Sequence, residues 1–472
     1  MHSRTLFCGV LTAICALSTP HFLFAADDDG YPRAMQGPMI GAPTSHSFKV
    51  WLRLAGPTPV RIEYADNPDF RDARKTPLHH PRKEEEYCLT IPVEGLEAGT
   101  TYFYRLEVSG GEDYYLGGHL PFSTKTAPLA SEGARFTIAY GSCARFQENR
   151  VQPIWEVVGD YDPDLFFWLG DNVYADTNDP DILSEEFQRQ REVSTLQPVL
   201  ARVPQLAVWD DHDFGLNNHN RTNPQKADNL ERWKRYWPNP AYGTAEIPGI
   251  FFRYNYAGVD FFFLDGRYYR DPNEDPSSPG KTMLGEAQIE WLKAELKRSE
   301  SPFKVLVSGS VWTNAKGPHG DAWSAFLDER DALFAWIMKE QITGVVLLSG
   351  DTHTGELNAI PLSENGGYDL YDLTASPLAQ QPSDGWIFRE PELRIRVPYS
   401  MSENFGWLDF DLTQEDPTLT FNLVGTEGVP VWRPFVLKAS ELVPGVSTWR
   451  EKQTRRAGRW MQLLEKAGGI PE

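Results

Sequence analysis

Four apolar runs in this chain each end in a short polar cluster carrying metal-competent or acid-base side chains, and this repetition constrains the fold most. Phe136 to Tyr140 leads into Gly141-Ser142-Cys143, and Leu165 to Leu169 into Gly170-Asp171-Asn172. Leu206 to Trp209 leads into Asp210-Asp211-His212-Asp213, and Val345 to Leu348 into Ser349-Gly350-Asp351-Thr352-His353. Continuously apolar runs read as strands buried on both faces of a sheet. Between them lie helical patterns at Ile154 to Val158, Glu185 to Val199, the face Leu284, Ile289, Leu292 and Leu296, and Ala332 to Met338. Strands alternating with helices predict an α/β layered domain. Two aromatic-rich runs flanking Ala257-Gly258 predict a hairpin there, and hence a mixed sheet.

A different pattern precedes this domain. Phe48, Val50, Leu52 and Leu54 alternate with polar or outward-facing neighbours, and Val60, Ile62 and Tyr64 repeat the period. Tyr87, Leu89, Ile91 and Val93 do so again, followed by Tyr102, Tyr104, Leu106 and Val108. These strands predict a small β-sandwich, and the turn before Tyr102 resembles the tyrosine corner of fibronectin type III-like domains. The segment from Thr126 to Gly133 marks the boundary. At the other end, Trp449 to Ala467 reads as a basic amphipathic helix docked on the domain.

The first residues carry Arg4, an apolar run from Leu6 to Leu17, and Phe24-Ala25-Ala26 before Asp27-Asp28-Asp29, the layout of a cleaved export signal. The apolar run is too short for a membrane span of roughly 20 residues. Cleavage would leave only Cys88 and Cys143, which is not a disulfide framework; a bond between them is disfavoured because they fall in different predicted units. A net charge of −21 excludes a nucleic-acid-binding surface and gives no steering field for anions, so any phosphate would be held locally, by bound cations.

In layered α/β folds, ligands gather outside the carboxyl ends of strands. Any one of the four clusters could be an ordinary turn; four in equivalent positions point to a site. Asp171 and Tyr174 can share one wall of a loop, and Asp351 and His353 can face one side of an extended segment. So many oxyanions would repel one another without cations. Thiolate and phenolate beside carboxylates suit a transition metal such as iron, while all-oxygen positions suit calcium or magnesium.

As an ordered set, Gly141-Ser142-Cys143, Gly170-Asp171-Asn172-Val173-Tyr174, Trp209-Asp210-Asp211-His212-Asp213 and Ser349-Gly350-Asp351-Thr352-His353 resemble the motifs of PhoD-like alkaline phosphatases, distant relatives of purple acid phosphatases. Asp321-Ala322-Trp323 with Phe326 resembles that family's loop near the substrate entrance. The resemblance implies an α/β, four-layer αββα metallophosphatase domain with mixed sheets over 134–440. It would follow a signal peptide over 1–26 and a fibronectin type III-like sandwich over 32–127, with a C-terminal helix over 441–472. It further implies that Cys143, Tyr174 and His353 ligate Fe3+ and that Asp171 bridges to Ca2+. Asp211 and Asp351 would lie on the calcium side, with Asn217 and Asn218 as helpers. His212 would be the acid-base residue. Two departures stand out: the family's twin-arginine export signal is missing, and Asn172 stands where some relatives carry tyrosine.

The expected protein is thus a secreted or periplasmic, monomeric hydrolase of small phosphate esters. Its cations would neutralise phosphate oxygens and activate a water. His212 would protonate the leaving group, and Arg145 would clamp the phosphate. A phospholipase D-like phosphodiesterase on the same scaffold, lined by aromatics of Phe251 to Tyr269, is an alternative, as is a secreted calcium-binding or adhesion protein without catalysis. A serine-type nucleophile at Ser142 or Thr352 lacks a nucleophile elbow or adjacent base.

Overall fold

The computed structural model describes residues 33–109, 111–112, 121–385 and 387–467; the expected signal peptide lies outside them. Three of the apolar runs become the strands Arg135–Gly141, Leu165–Leu169 and Gln205–Val208, paired in parallel within a nine-stranded sheet. Their registers set Trp168 opposite Gly141 and Leu169 opposite Val208, so the three carboxyl ends finish level. The fourth run, Val345–Ser349, lies in a seven-stranded sheet, parallel to Lys304–Val307 and Leu370–Thr374. Beside them, Phe252–Tyr256 and Val259–Phe263 form the expected antiparallel hairpin. Its turn residues Ala257 and Gly258 have φ of 51° and 94°, the positive pair that a tight hairpin matching the strand twist requires.

The two sheets pack face to face, and the alternation of one strand shows why all five of its residues are apolar. Phe167 points inward against Phe261 and Phe263, with ring centroids 5.0 and 4.9 Å away. Phe166 and Trp168 point outward against Trp155 of the helix Ile154–Tyr161, at 5.2 and 4.8 Å. Each such aromatic pair contributes about 0.5–1.5 kcal/mol beyond its buried area. On the other flank, Trp291 of the helix Glu286–Arg298 packs on Phe251, and Phe334 of the helix Leu327–Lys339 on Trp312. The layers run helix, sheet, sheet, helix.

Two helical patterns are interrupted. Glu185 to Val199 belongs to two helices, Pro180–Arg191 and Gln197–Arg202, with Pro198, which has no N–H to donate, in the first turn of the second. The tail likewise divides into Trp449–Lys452 and Arg455–Ala467. The N–H of Thr454 turns away to the Ile395 carbonyl, and its hydroxyl caps the N–H of Ala457.

In the leading region, Phe48, Val50, Leu52, Ile62 and Tyr104 form a core of their own, and the Tyr102 hydroxyl accepts the N–H of Glu97 at 3.0 Å. Its strands Ala34–Gly41, Ser47–Leu54 and Cys88–Glu94 continue the nine-stranded sheet, joined to Gln205–Val208 by a parallel pairing of Gly41 with Gln205. Arg191 is buried at this junction over Trp51, Phe187, Tyr236 and Trp237, and donates to the carbonyls of Phe187 and Tyr236. Cys88 and Cys143 are both buried free thiols.

Candidate metal centre

The residues beyond the aligned strand ends leave extended geometry abruptly. Cys143, Asp171, Asp351 and His353 all have positive φ, at 62°, 50°, 72° and 50°. A non-glycine residue there costs of order 1–3 kcal/mol and persists only where its surroundings enforce it. Here the turns brace one another. The N–H of Cys143 donates to the Gly170 carbonyl and that of Ala144 to Asp171. Ser142 Oγ accepts the N–H of Asp351 at 3.0 Å, and Ser376 Oγ that of His353 at 3.0 Å. Gly350 is required by this bracing, since a Cβ there would lie 2.5 Å from the Ser142 side chain.

The bracing aims Cys143, Tyr174 and His353 at Asp171. Cys143 Sγ is 3.5 Å from Asp171 Oδ2, and Tyr174 Oη is 3.3 Å from the same oxygen and 3.1 Å from His353 Nε2. His212 lies over Tyr174, rings 4.2 Å apart, with Nε2 at 4.0 Å from Asp171 Oδ2 and 3.9 Å from Asp211 Oδ2. Its Nδ1 is hydrogen-bonded to Asp176. Potential ligand atoms of Cys143, Asp171 and His353, and those of Asp171, Asp211 and His212, fall within 4.8 Å of one another.

Burial works against the ionised donors. It raises Cys143 to about 11, with the Asp351 charge adding to the effect. It raises Asp171 well above the carboxylate range against the pull of His212, and Tyr174 well above the phenol range with help from Cys143 and Asp171. His353 is pushed down to about 4 by burial and by Lys316. For His212, burial is outweighed by the charge of Asp171, the hydrogen bond to Asp176 and the charge of Asp211, which lift it to about 10. A cation among these groups would favour each donor in its ligating form. Asp171 Oδ1, buried and without a hydrogen-bond partner among the described residues, fits the same requirement. The donor set of thiol, phenol, imidazole and carboxylate suits a transition metal.

The remaining assignments separate. Asp211 accepts the backbone N–H of Asn218 at 2.7 Å, while the side chains of Asn217 and Asn218 are exposed. Arg145 stands at the rim, its guanidinium 5.1 Å from the Tyr174 ring centre. Asp213 points away from the donors and accepts the N–H groups of Asp210, Asn172 and Val173, fixing two of the turns. Asn172 donates to the Val208 carbonyl at 2.8 Å and so braces a strand end.

Sequence reasoning did not single out the cations behind the site. Arg267 is fully buried and ion-paired with Asp210, Asp211 and Asp321; Arg270 pairs with Asp321, and Lys316 with Asp351. Asp321 therefore belongs to a buried ion network, and Trp323 beside it stacks on Trp312 at 4.5 Å. Asp265-Gly266-Arg267, just past the strand Val259–Phe263, carries the same strand-end signal as the four clusters. Asp176 and Lys316 lie in loops with no such signal.

A family model for PhoD-like phosphatases matches residues 138–385, and one for their N-terminal domain matches residues 22–128. Alkaline phosphatase D of Bacillus subtilis (strain 168) is 24% identical over 393 residues, covering 70% of this chain and 66% of that protein. Purple acid phosphatase 22 of Arabidopsis thaliana is 22% identical over 273 residues, covering 56% and 52%. The match thus spans just under two thirds of the first relative and about half of the second. Among solved structures, one of PhoD superposes with a TM-score of 0.69 at 18% identity, over 94% of this chain and 99% of that one. Purple acid phosphatase PPD1 from yellow lupin (Lupinus luteus) gives 0.57 at 12% identity, over 85% and 74%. The first family model covers more than half of the sequence, and the chain belongs to the PhoD-like phosphatases.

Proposed function

We propose that this protein is an exported, metal-dependent hydrolase of small phosphate esters. The observation that carries the reading is the approach of Cys143 Sγ, Tyr174 Oη and His353 to a single buried carboxylate, Asp171, whose second oxygen has no hydrogen-bond partner among the described residues. In this reading Cys143, Asp171, Tyr174 and His353 would hold Fe3+, and Asp211 and Asp351 would serve Ca2+. Asn217, the helper expected from the resemblance, has an exposed side chain beside Asp211 and would reach the Ca2+ side from solvent. When bound, the ions would supply neutralisation of phosphate oxygens and acidification of a water.

The chain's own residues supply the rest. His212 carries a proton toward the site at Nε2, because Nδ1 is engaged by Asp176. That proton can pass to the departing alkoxide as the ester bond breaks. Arg145, whose guanidinium lies 5.1 Å from the Tyr174 ring centre, would donate to a phosphate oxygen. No helix among the described residues is long and apolar enough to cross a membrane, and the leader pattern at the N-terminus supports export.

The test is hydrolysis of an aryl phosphomonoester and the matching diester before and after chelation, with metal content read on the same sample. Activity lost on chelation and restored by calcium, in iron-containing protein, is the expected result. Reconstituted protein without metal or turnover would replace this reading with that of a binding protein. N-terminal sequencing of the secreted or periplasmic form tests export.

A further inference from the structure

The two halves of the site balance their carboxylates in different ways. Asp171 faces Cys143, Tyr174 and His212. Around Asp210, Asp321 and Asp351, whose oxygens fall within 4.8 Å of one another, the compensating charge comes from the protein. Arg267 reaches Asp321 at 2.6 Å and also pairs with Asp210 and Asp211. Arg270 reaches Asp321 at 2.7 Å, and Lys316 pairs with Asp351 Oδ2. The side chains of these three cations are 0%, 0% and 6% exposed, so solvent screens their charges little.

The two arginines are held in place by further bonds. Arg267 also donates to the His219 carbonyl, and Arg270 to Asn273 Oδ1. Lys316 differs in kind: it brings a compact point charge on a flexible stem to one oxygen of Asp351, and also donates to the Asp321 carbonyl at 3.3 Å. An ammonium on a carboxylate oxygen takes a position that a divalent ion would use, and it repels any such ion nearby.

We propose that Lys316 sets how tightly this protein holds its second cation, by competing with a divalent ion for the carboxylate of Asp351. The inference rests on the reading that Asp351 serves that cation. On this reading the metal among Cys143, Asp171, Tyr174 and His353 would be the tightly held one, and the second ion would exchange with the medium.

Protein carrying its tightly held metal would be dialysed against a weak chelator and titrated calorimetrically with calcium chloride. K316M and K316Q should bind calcium at least about tenfold more tightly than the parent, while K316R, which keeps the charge, stays close to it. Should the buried methionine prevent folding, K316Q carries the comparison. D351N should lose the calcium event while retaining the tightly held metal. Calcium binding unchanged in D351N would overturn the assignment of Asp351. Loss in D351N with no gain in the neutral Lys316 variants would overturn the role of Lys316 alone.

Discussion

The phenol oxygen of Tyr174 stands 3.1 Å from Nε2 of His353, a residue 179 positions further along the chain. The contact joins a turn of the nine-stranded sheet to a turn of the seven-stranded one, so the site exists only where the two sheets meet. A Tyr174→Phe variant keeps the ring against His212 and removes only the oxygen. It should bind metal at least about tenfold more weakly and, with the iron proposed above, lose any visible absorption band. Metal analysis and an absorption spectrum beside an unchanged far-ultraviolet circular dichroism spectrum check this.

Asp176 is engaged with His212 from outside the ring of metal donors. An Asp176→Asn variant should slow alkyl phosphates by roughly 10–100-fold, within the range general acid catalysis contributes, and aryl phosphates with good leaving groups much less. The ratio of the two rates decides; equal slowing would remove the role in proton transfer.

Asp372 offers a pH test away from the metal donors. Burial lifts it to about 7, although Ser349 Oγ and the N–H of Trp312 both donate to it. An unfolded aspartate titrates near about 3.9. Below that pH both states hold the proton and nothing is lost; as pH rises toward 7 only the unfolded state ionises, and native stability falls. An Asp372→Asn variant has no such proton to lose. Its melting temperature should gain on that of the parent between pH 4 and pH 7, and a constant difference across that range would contradict the account.

Arg191 is a buried cation between four aromatic rings, with two backbone carbonyls as hydrogen-bond acceptors. Arg191→Ala leaves a cavity and removes those donors, and should cost about 3–5 kcal/mol. Urea unfolding of the full chain measures it, and a loss below about 1 kcal/mol would show that the junction does not depend on this side chain.

The candidate site was legible where chemistry follows directly on a buried strand. Cys143, Asp171 and Asp211 lie just past apolar runs whose parallel pairing brings them to one edge of the nine-stranded sheet, and Asp351 and His353 lie just past a run of the seven-stranded sheet packed against it. Arg267 carries the same signal, but it follows an aromatic hairpin whose composition is equally that of core packing. Lys316 and Asp176 reach the site from loops, and only the folded path of the chain decides where a loop side chain ends. The strand alternation of the leading region was equally plain. Its pairing with a strand more than 150 residues later was not, because period-2 patterning specifies which face is buried and says nothing about the neighbour at the edge.

That pairing has a consequence for dissecting the molecule. Gln205–Val208 lies between Leu165–Leu169 and Ala34–Gly41. A chain begun after the leading region would uncover the groups of Gln205 that face Gly41, while the N–H and C=O of Ala207 stay paired with the Asn239 side chain. A long unpaired edge recruits strands from other molecules, but this one is capped after a single residue. The leading region thus acts as a selvedge on the sheet at Gln205 alone, and Asn239 would keep a truncated chain from offering a longer row.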